Sequence, residues 1–346
     1  MMTVSALEDK NSFSEKKWSE SVMATDSLML SVSHFKNGEY FNPWKPMPEK
    51  GFLEVMKWRF LLEKEKFSEE EESFLPNTVP DVLKKIKETK NDFALWIGHS
   101  TVLIKFKGHY FLTDPMFSNR AVIPKRSTKP AITSKELLSL NVPITVLLTH
   151  NHYDHLDAKS IKALPAGTVV YAPLGLKEIV EKMNSKKVYE LDWWQAADFC
   201  DGIKIHAVPA QHWSLRAFSG RNKTLWCSFV LETPEGSIFI GGDSGYFKGF
   251  QEIGRRFPGI KLALLPIGAS RPRWFMHYSH INSSEMLQAA ADLGAAAVLP
   301  IHWGAFRLGE EPPGYPALEL KRIISAGQTD YKGQIHLSDL GEVFGF

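Results

Sequence analysis

The chain has 346 residues, which is enough for one large domain or two with a substantial buried core. Hydrophobic residues make up 44% and charged residues 23% of the sequence, as in an ordinary globular protein. The formal net charge of +2 lacks the basic excess of a dedicated nucleic-acid surface, so we expect no nucleic-acid partner.

Cysteine usage and the absence of export signals predict where the protein resides. Neither Cys200 nor Cys227 belongs to a C-x-x-C pattern, which excludes a disulfide framework or a thiolate-rich zinc site and is typical of a reducing compartment. The first ten residues show no secretory signal, and no apolar run is long enough to span a bilayer. We therefore predict a cytoplasmic protein, either soluble or peripheral to a membrane.

The first 90 residues divide into two predicted segments. Residues 1–35 are polar, which predicts poor order. Residues 36–90 are predicted to form a helical extension, with a largely apolar helix over 52–62. Aromatic and basic residues between 41 and 62 suit peripheral contact with a membrane, but packing on the main domain or on a second copy in a homodimer explains the same pattern. The acidic run 69–72 indicates a linker or a helix cap.

From residue 93 onward, short apolar or alternating runs predict strands, with a tight turn at Lys107-Gly108. The predicted strands cover 93–97, 102–106, 109–113, 144–149, 168–172, 187–191, 203–209, 226–232, 237–241, 261–267 and 297–301. Helices are predicted near 174–183, 283–293 and 318–324. Two series of strands with helices after each predict an α/β fold over residues 91–346. This is an αββα sandwich of two face-to-face mixed β-sheets flanked by helices.

Four metal-capable side chains stand within six residues, as His150, His152, Asp154 and His155. They follow the apolar run 144–148, so a buried strand would present them from the loop at its C-terminal end. Imidazole nitrogen and carboxylate oxygen are ligands that Zn²⁺ accepts. His150 and His152 can point the same way, whereas Asp154 and His155 can serve a second ion. A surface loop that is rich in histidine by chance is the weaker alternative.

Three further ligand candidates, His212, Asp243 and His302, each stand at the end of an apolar run. Two glycines precede Asp243 and would let the backbone approach a site closely. A single histidine after a strand is more often structural than a ligand. Three candidates that follow the same rule predict one shared site on one rim of the sheets.

The complete set resembles the metallo-β-lactamase superfamily, whose H-x-H-x-D-H signature matches residues 150–155. This resemblance implies seven metal ligands: three on a first ion, three on a second ion, and an aspartate that bridges them. In that order they are His150, His152 and His212; Asp154, His155 and His302; and Asp243. The implied cofactors are two Zn²⁺ ions per chain, although Mn²⁺ or Fe also suits a site with only nitrogen and oxygen ligands.

A narrower resemblance, over roughly residues 36–310, is to the N-acyl-phosphatidylethanolamine-hydrolysing phospholipase D family. The segments that carry it are Phe41-Asn42-Pro43-Trp44, Trp96-Ile97-Gly98-His99-Ser100-Thr101-Val102, Leu112-Thr113-Asp114-Pro115, Gln211-His212-Trp213, Pro272-Arg273-Trp274-Phe275-Met276 and Ile301-His302-Trp303-Gly304. By this resemblance Tyr153 and His280 contact the substrate. Ser244 replaces the usual threonine. Ser270-Arg271 replaces a Tyr-Glu pair of the animal enzymes near the expected substrate entrance, so the acyl-chain or head-group preference does not follow from the resemblance.

The resemblance implies hydrolysis of N-acyl-phosphatidylethanolamine to phosphatidate and an N-acylethanolamine by a metal-bridging hydroxide. Asp243 would hold both ions, and Asp154 would help to take the proton of the attacking water. His280 would steady a phosphoryl oxygen or protonate the leaving group, unless it is only a hydrogen-bonded loop histidine. His99 and Asp114 would support the ligands through hydrogen bonds, although Asp114 is also a plausible turn residue.

Two other functions remain open from the sequence. A lactonase or a phosphodiesterase that acts on a small soluble substrate would use the same metal ligands. A metal-dependent binding protein would need the ligands but no turnover. The expected partner is accordingly a phospholipid or another phosphodiester, and the near-neutral charge disfavours a nuclease.

Overall fold

Two seven-stranded sheets form the centre of the molecule, for which a computed structural model describes residues 13–48, 64–183, 186–216 and 220–346. The first sheet contains β3 (Phe93–Gly98), β4 (Thr101–Phe106), β5 (His109–Thr113), β6 (Ile144–Leu147), β7 (Val169–Pro173), β8 (Lys187–Leu191) and β16 (Val343–Gly345). The second contains β9 (Ala196–Asp198), β10 (Lys204–Val208), β11 (Ser228–Thr233), β12 (Gly236–Ile240), β13 (Ile260–Pro266), β14 (Ala297–Ile301) and β15 (Gln334–Ile335). A separate hairpin consists of β1 (Phe35–Lys36) and β2 (Glu39–Tyr40).

Each sheet combines antiparallel and parallel strands. The first has the order β16-β3-β4-β5-β6-β7-β8, antiparallel from β16 to β5 and parallel from β5 to β8. The second has the order β15-β14-β13-β12-β11-β10-β9, antiparallel from β9 to β12 and parallel from β12 to β15. Both sheets are therefore mixed, and the predicted fold class is confirmed.

The main apolar core lies between the two sheets. Alternate residues of β3 point to opposite faces, as the pleat of a strand requires. Ala94 and Trp96 join the large cluster shared with the second sheet, whereas Phe93, Leu95 and Ile97 join a smaller cluster under the helices on the outer face. Because β3 is buried on both faces, its sequence is a continuous apolar run rather than an alternating one.

Helices flank the sheets. They are Glu15–Met23, Glu69–Ser73, Val82–Glu88, Ser134–Leu138, Ala158–Ala163, Lys177–Glu181, Gly249–Arg256, Arg273–Met276, Ser283–Asp292 and Tyr315–Ser325, with a 3₁₀ helix at Ser27–Ser31. The helices predicted near 174–183, 283–293 and 318–324 are confirmed. Several that were not predicted have only one or two turns, too few to show a helical period. None of the helices in the described ranges is long and apolar enough to cross a membrane.

The described part of the N-terminus is ordered, which differs from the poor order predicted for residues 1–35. Helix Glu15–Met23 is capped by Ser14 and buries Trp18 and Val22 in the main core. The two apolar residues are four positions apart and therefore share one helix face. Because residues 1–35 are polar on average, their composition does not reveal this apolar helix face.

The two segments that follow bear differently on the predictions. The acidic run 69–72 belongs to helix Glu69–Ser73, whose N-terminus is capped by a capping box between Ser68 and Glu71. The helix predicted over 52–62 lies entirely within 49–63, outside the described residues. The membrane or subunit contact predicted for residues 41–62 therefore stays a prediction.

Candidate metal centre

All seven predicted ligands lie together on one rim of the sandwich. His150 follows β6, His212 follows β10, Asp243 follows β12 and His302 follows β14. The other three come from the loop after β6. Because β6 belongs to the first sheet and the other three strands to the second, the site forms where the loops of both sheets meet.

One group of potential ligand atoms comes from His150, His152, His212 and Asp243. Nδ1 of His152 lies 2.9 Å from Nε2 of His150 and 3.1 Å from Nε2 of His212. Oδ2 of Asp243 lies 4.0 Å from Nε2 of His150 and 3.9 Å from Nε2 of His212. Three imidazole nitrogens and one carboxylate oxygen form a donor set that suits a zinc ion.

A second group comes from His99, Asp154, His155 and His302. Oδ2 of Asp154 lies 2.9 Å from Nε2 of His99, 3.4 Å from Nε2 of His302 and 3.5 Å from Nε2 of His155. His99, which was expected to support a ligand, contacts Asp154 directly. Asp243 also reaches this group, since its Oδ2 lies 3.2 Å from Nε2 of His155 and its Oδ1 lies 3.2 Å from Nε2 of His302.

Several polar atoms at the junction of the two groups lack partners. Nε2 of His155, Nε2 of His302 and Oδ1 of Asp243 are buried and make no hydrogen bond of acceptable geometry, although each Nε2 lies 3.2 Å from an oxygen of Asp243. A buried polar atom left unsatisfied costs about 1–3 kcal/mol of folding free energy. Converging atoms of this kind fit bound cations as their missing partners. The two groups, joined by Asp243, fit two metal ions.

The electrostatics of the cluster point the same way. Burial lowers the pKa of His150 and of His212 well below the usual value, so both rings are neutral, the form that binds metal. Burial should raise the pKa of Asp243, but His155 and His302 outweigh it and hold this pKa well below its usual range. The same balance, with His155 as the main opposing neighbour, holds the pKa of Asp154 low. Positive charge must compensate two ionised carboxylates in a buried site, and within the protein it comes from the rings of His155 and His302. Burial lowers the pKa values of these rings, but Asp243 outweighs it and holds the pKa of His155 well above its usual value and that of His302 at about 9. A bound cation can take the place of these ring protons.

Asp114 holds the ligand candidate His155 from behind. Its Oδ2 accepts hydrogen bonds from Nδ1 of His155 at 2.8 Å and from Oγ1 of Thr149 at 2.7 Å, and its Oδ1 accepts one from the Thr149 backbone N–H at 2.8 Å. The contact places the ring proton of His155 on Nδ1 and leaves Nε2 for a metal. Thr149 was not predicted, although it precedes His150 at the end of the strand. Its Oγ1 lies 3.0 Å from Nδ1 of His150.

The N-terminal helix supports the first group through the loop behind it. Nδ1 of His212 donates to the Ser279 carbonyl oxygen at 3.0 Å. The neighbouring His280 carbonyl oxygen accepts a hydrogen bond from Nη1 of Arg273 at 3.1 Å. Nε of Arg273 in turn lies 2.6 Å from Oε1 of Glu15 in the N-terminal helix. No sequence pattern indicates this support, because Glu15 is one acidic residue among many.

Aromatic contacts fasten the same helix to the same loop. The ring centroids of Phe13 and Trp18 lie 4.5 Å and 4.4 Å from that of His277. Tyr278 donates its hydroxyl to the Lys45 carbonyl oxygen and accepts a hydrogen bond from the Asn42 amide at 2.9 Å. Residues from two N-terminal segments therefore hold the loop that contacts His212.

The backbone is strained at three site residues. His99, Asp114 and His302 have φ angles of 55°, 33° and 63°, a region that side chains other than glycine rarely adopt. Such conformations cluster at functional sites. The predicted close approach at the glycine pair is also present, since a Cβ atom at Gly242 would lie 2.7 Å from the Cβ of Thr149.

The two predicted substrate contacts occupy different positions. Nδ1 of His280 is buried without a hydrogen-bond partner and lies 3.9 Å from Oδ2 of Asp243. Burial lowers the pKa of His280 to about 3, so its ring is neutral. Tyr153 instead lies at the surface beside the motif, with its hydroxyl bound to the Arg216 carbonyl oxygen at 2.9 Å. The structure does not bring Tyr153 into either ligand group, and its substrate contact stays a prediction.

Comparison with known proteins gives relatives over most of the chain. The family model described as Beta-lactamase superfamily domain matches residues 109–303. An uncharacterized protein of Mycobacterium tuberculosis is 36% identical over 248 residues, which is 68% of this chain and 64% of the relative. The match thus spans slightly less than two thirds of that relative. The N-acyl-phosphatidylethanolamine-hydrolyzing phospholipase D 1 of Caenorhabditis elegans is 33% identical over 270 residues, which is 73% of this chain and 75% of the relative.

Solved structures show the same fold. The metallo hydrolase Igni18 from Ignicoccus hospitalis superposes with a TM-score of 0.56 at 23% sequence identity. The superposition covers 74% of this chain and 99% of that one. The family match, the relatives and the ligand groups at one rim lead to the same conclusion. The chain belongs to the metallo-β-lactamase superfamily.

Proposed function

We propose that this protein is a phospholipase D-type hydrolase that cleaves N-acyl-phosphatidylethanolamine to phosphatidate and an N-acylethanolamine, with two Zn²⁺ ions per chain. The observation that carries the proposal is the pair of ligand groups joined by Asp243. The substrate class is supported by the Caenorhabditis elegans relative and by the mitochondrial N-acyl-phosphatidylethanolamine-hydrolyzing phospholipase D of Saccharomyces cerevisiae. The latter is 35% identical over 263 residues, which is 72% of this chain and 55% of the relative.

The residues at the rim divide the work of such a reaction. When bound, two zinc ions would supply Lewis acidity and lower the pKa of a nearby water toward neutrality. Asp243 contacts both ligand groups and would fix their separation. Asp154 has an ionised carboxylate within the second group, where it would bind the second ion and accept a hydrogen bond from the attacking water. His99 orients that carboxylate through the contact of 2.9 Å.

His280 is the proposed partner of the phosphodiester on the other side of Asp243. Its ring centroid lies 5.3 Å from that of His212 and 5.7 Å from that of His302, so it faces both ligand groups. Its Nδ1 atom has no protein partner and is therefore free to bind a substrate oxygen. A neutral imidazole can donate a hydrogen bond to a phosphoryl oxygen or to the leaving alkoxide.

A groove of about 500 Å³ opens beside His212 and suits an amphipathic substrate. Phe41 and Met47 contribute apolar wall, and Arg221 contributes a cation. Polar and charged side chains such as Lys36, Glu39 and Asn222 line the groove as well, and a guanidinium can pair with a phosphate in a bidentate manner. Acyl chains and the phosphodiester would find complementary surfaces in this groove.

A direct assay tests the proposed reaction. The zinc-loaded protein is incubated with vesicles of N-acyl-phosphatidylethanolamine and, in parallel, with a small lactone and a soluble aryl phosphodiester. We expect phosphatidate and N-acylethanolamine from the vesicles at a rate well above the turnover of either soluble compound. Matched vesicles of plain phosphatidylethanolamine serve as the control for head-group preference.

The remaining outcomes separate the alternatives. Faster turnover of the lactone or the soluble phosphodiester would replace the lipid substrate with a small soluble one. Tight zinc binding without turnover of any of the three would indicate a metal-dependent binding protein. Release of diacylglycerol instead of phosphatidate would show cleavage of the other phosphoester bond and refute the phospholipase D type.

A further inference from the structure

A separate group of metal-capable side chains lies at the opposite end of the sandwich. His109 begins β5, and Cys200 and Asp201 stand in the turn between β9 and β10. Nε2 of His109 lies 2.6 Å from Oδ2 of Asp201 and 3.5 Å from Sγ of Cys200. Since β5 spans His109–Thr113, about 17 Å of strand separates this group from Asp114 and the metal centre.

The three side chains are held on rigid turns. Residues 107–108 have φ angles of 49° and 82°, and residues 201–202 have φ angles of 54° and 75°. Positive φ at both central residues is the pattern of two-residue type I′ hairpins. The ring of Phe199 meets the ring of His109 edge-on, with 5.3 Å between centroids. Ligands carried on packed hairpins are placed more exactly than ligands on long loops.

We propose that His109, Cys200 and Asp201 form a surface zinc site with solvent in the fourth position. Bond lengths of about 2.3 Å to sulfur and about 2.0–2.1 Å to nitrogen in a tetrahedron separate the two atoms by about 3.5 Å. The Sγ to Nε2 distance of 3.5 Å has the length of this edge, but Sγ lies nearly as close to Nδ1, at 3.6 Å, so the exposed Cys200 side chain would also turn toward Nε2 when zinc binds. Binding releases the thiol proton to solvent, moves the ring proton of His109 to Nδ1 and replaces its hydrogen bond to Asp201. The Asp201 side chain is exposed and can make the small outward movement this requires.

The proposed ion would join the two sheets. His109 belongs to β5 of the first sheet, whereas the turn with Cys200 belongs to the second. Phe199, beside Cys200, already packs on Phe111 of β5, with 5.3 Å between ring centroids. Zinc at this position would therefore stabilise the packing of the sheets, and its loss would leave catalysis at the distant rim unchanged.

Bound Co²⁺ has an absorption spectrum that distinguishes the proposed site from the metal centre at the rim. The full-length protein is stripped of metal, kept reduced, and titrated with Co²⁺ beyond the capacity of the rim. All seven ligand candidates at the rim bind through nitrogen or oxygen, so only a cysteine ligand gives a thiolate-to-cobalt charge-transfer band. We expect the band in the wild-type protein and in Cys227→Ala, and its absence in Cys200→Ser and in His109→Gln.

Zinc stoichiometry and stability give a second measurement on the same variants. Equilibrium dialysis with Zn²⁺ should show one ion more per wild-type chain than per Cys200→Ser chain. Added zinc should raise the unfolding temperature of the wild type more than that of Cys200→Ser, at equal hydrolase activity. Equal zinc content in the two proteins would overturn the proposal, as would a charge-transfer band that persists in Cys200→Ser. The contact between His109 and Asp201 would then be an ordinary surface hydrogen bond.

Discussion

Strands β5 and β10 each carry metal-capable side chains at both ends, and the two ends differ in burial. At the C-terminal ends, Asp114 and His212 are buried, and several ligand atoms around them lack partners. At the N-terminal ends, Cys200 and Asp201 are exposed, and their contacts with His109 already satisfy them. The carboxylates at the C-terminal ends are buried and therefore need compensating positive charge. The carboxylate at the N-terminal ends is exposed and needs none, although it can still bind a cation.

Replacement of the bridging carboxylate of Asp243 should lower turnover more than any other exchange at the rim. Asp243→Asn keeps the shape of the side chain but removes the charge shared by both ligand groups. Loss of a partner behind a ligand typically costs about 10–100-fold, so loss of the bridge should lower turnover by more than about 100-fold. Metal analysis should show fewer ions per chain. Asp201→Asn is the matched control at the opposite end and should keep wild-type turnover; equal losses in the two variants would contradict the assignment.

His280 distinguishes chemistry from metal binding at the rim. His280→Ala should lower turnover by about 100-fold, the lower end of what one positioned hydrogen-bond donor at the reacting group contributes, while the metal content stays unchanged. His206→Ala is the control, because His206 lies on β10 away from the rim and pairs with Glu232 of β11. Unchanged turnover in His280→Ala would show that His280 is only a hydrogen-bonded loop histidine. Loss of metal in this variant would show that His280 is a metal ligand.

Much of the rim is predictable from the sequence, and the reason is local. His150 and His302 follow apolar strands directly, and the glycines before Asp243 indicate a close approach of the backbone. The sandwich follows from strands that are apolar on both faces. His99 is not predictable as a contact of Asp154, because 55 residues separate them and the left-handed turn at His99 leaves no sequence pattern.

The support behind the ligands should have a smaller effect than the ligands themselves. Asp114→Asn keeps an acceptor for Thr149 but weakens the hydrogen bond that fixes His155, so we expect roughly a tenfold loss of turnover and weaker retention of one metal against a chelator. Asp157→Asn is the matched control. Asp157 caps helix Ala158–Ala163, and asparagine caps a helix about as well as aspartate, so its exchange should change stability by less than about 1 kcal/mol and should release no metal. Wild-type metal retention in Asp114→Asn would reduce Asp114 to a turn residue.

The N-terminal helix should have the smallest effect and is the sharpest test of whether the rim depends on parts outside the sheets. Glu15 contacts the guanidinium of Arg273 at 2.6 Å and 3.2 Å, and Arg273 holds the His280 carbonyl oxygen. Glu15→Gln removes the negative charge, so Arg273 can shift toward its remaining partner Glu285 and relax the position of His280. We expect a severalfold loss in kcat with little change in KM and unchanged metal content.

Glu20→Gln in the same helix is the control for Glu15→Gln. Its side chain is 64% exposed and pairs only with Lys16, at 3.9 Å, so its exchange should leave both stability and kcat as in the wild type. Restoration of kcat by Glu15→Asp would show that the charge acts through Arg273 and not through the stability of the helix. If Glu15→Gln lowered the unfolding temperature but left kcat unchanged, the N-terminal helix would stabilise the fold without positioning residues of the rim. The rim would then be complete within the two sheets and their loops, as the exposed group at the opposite end is.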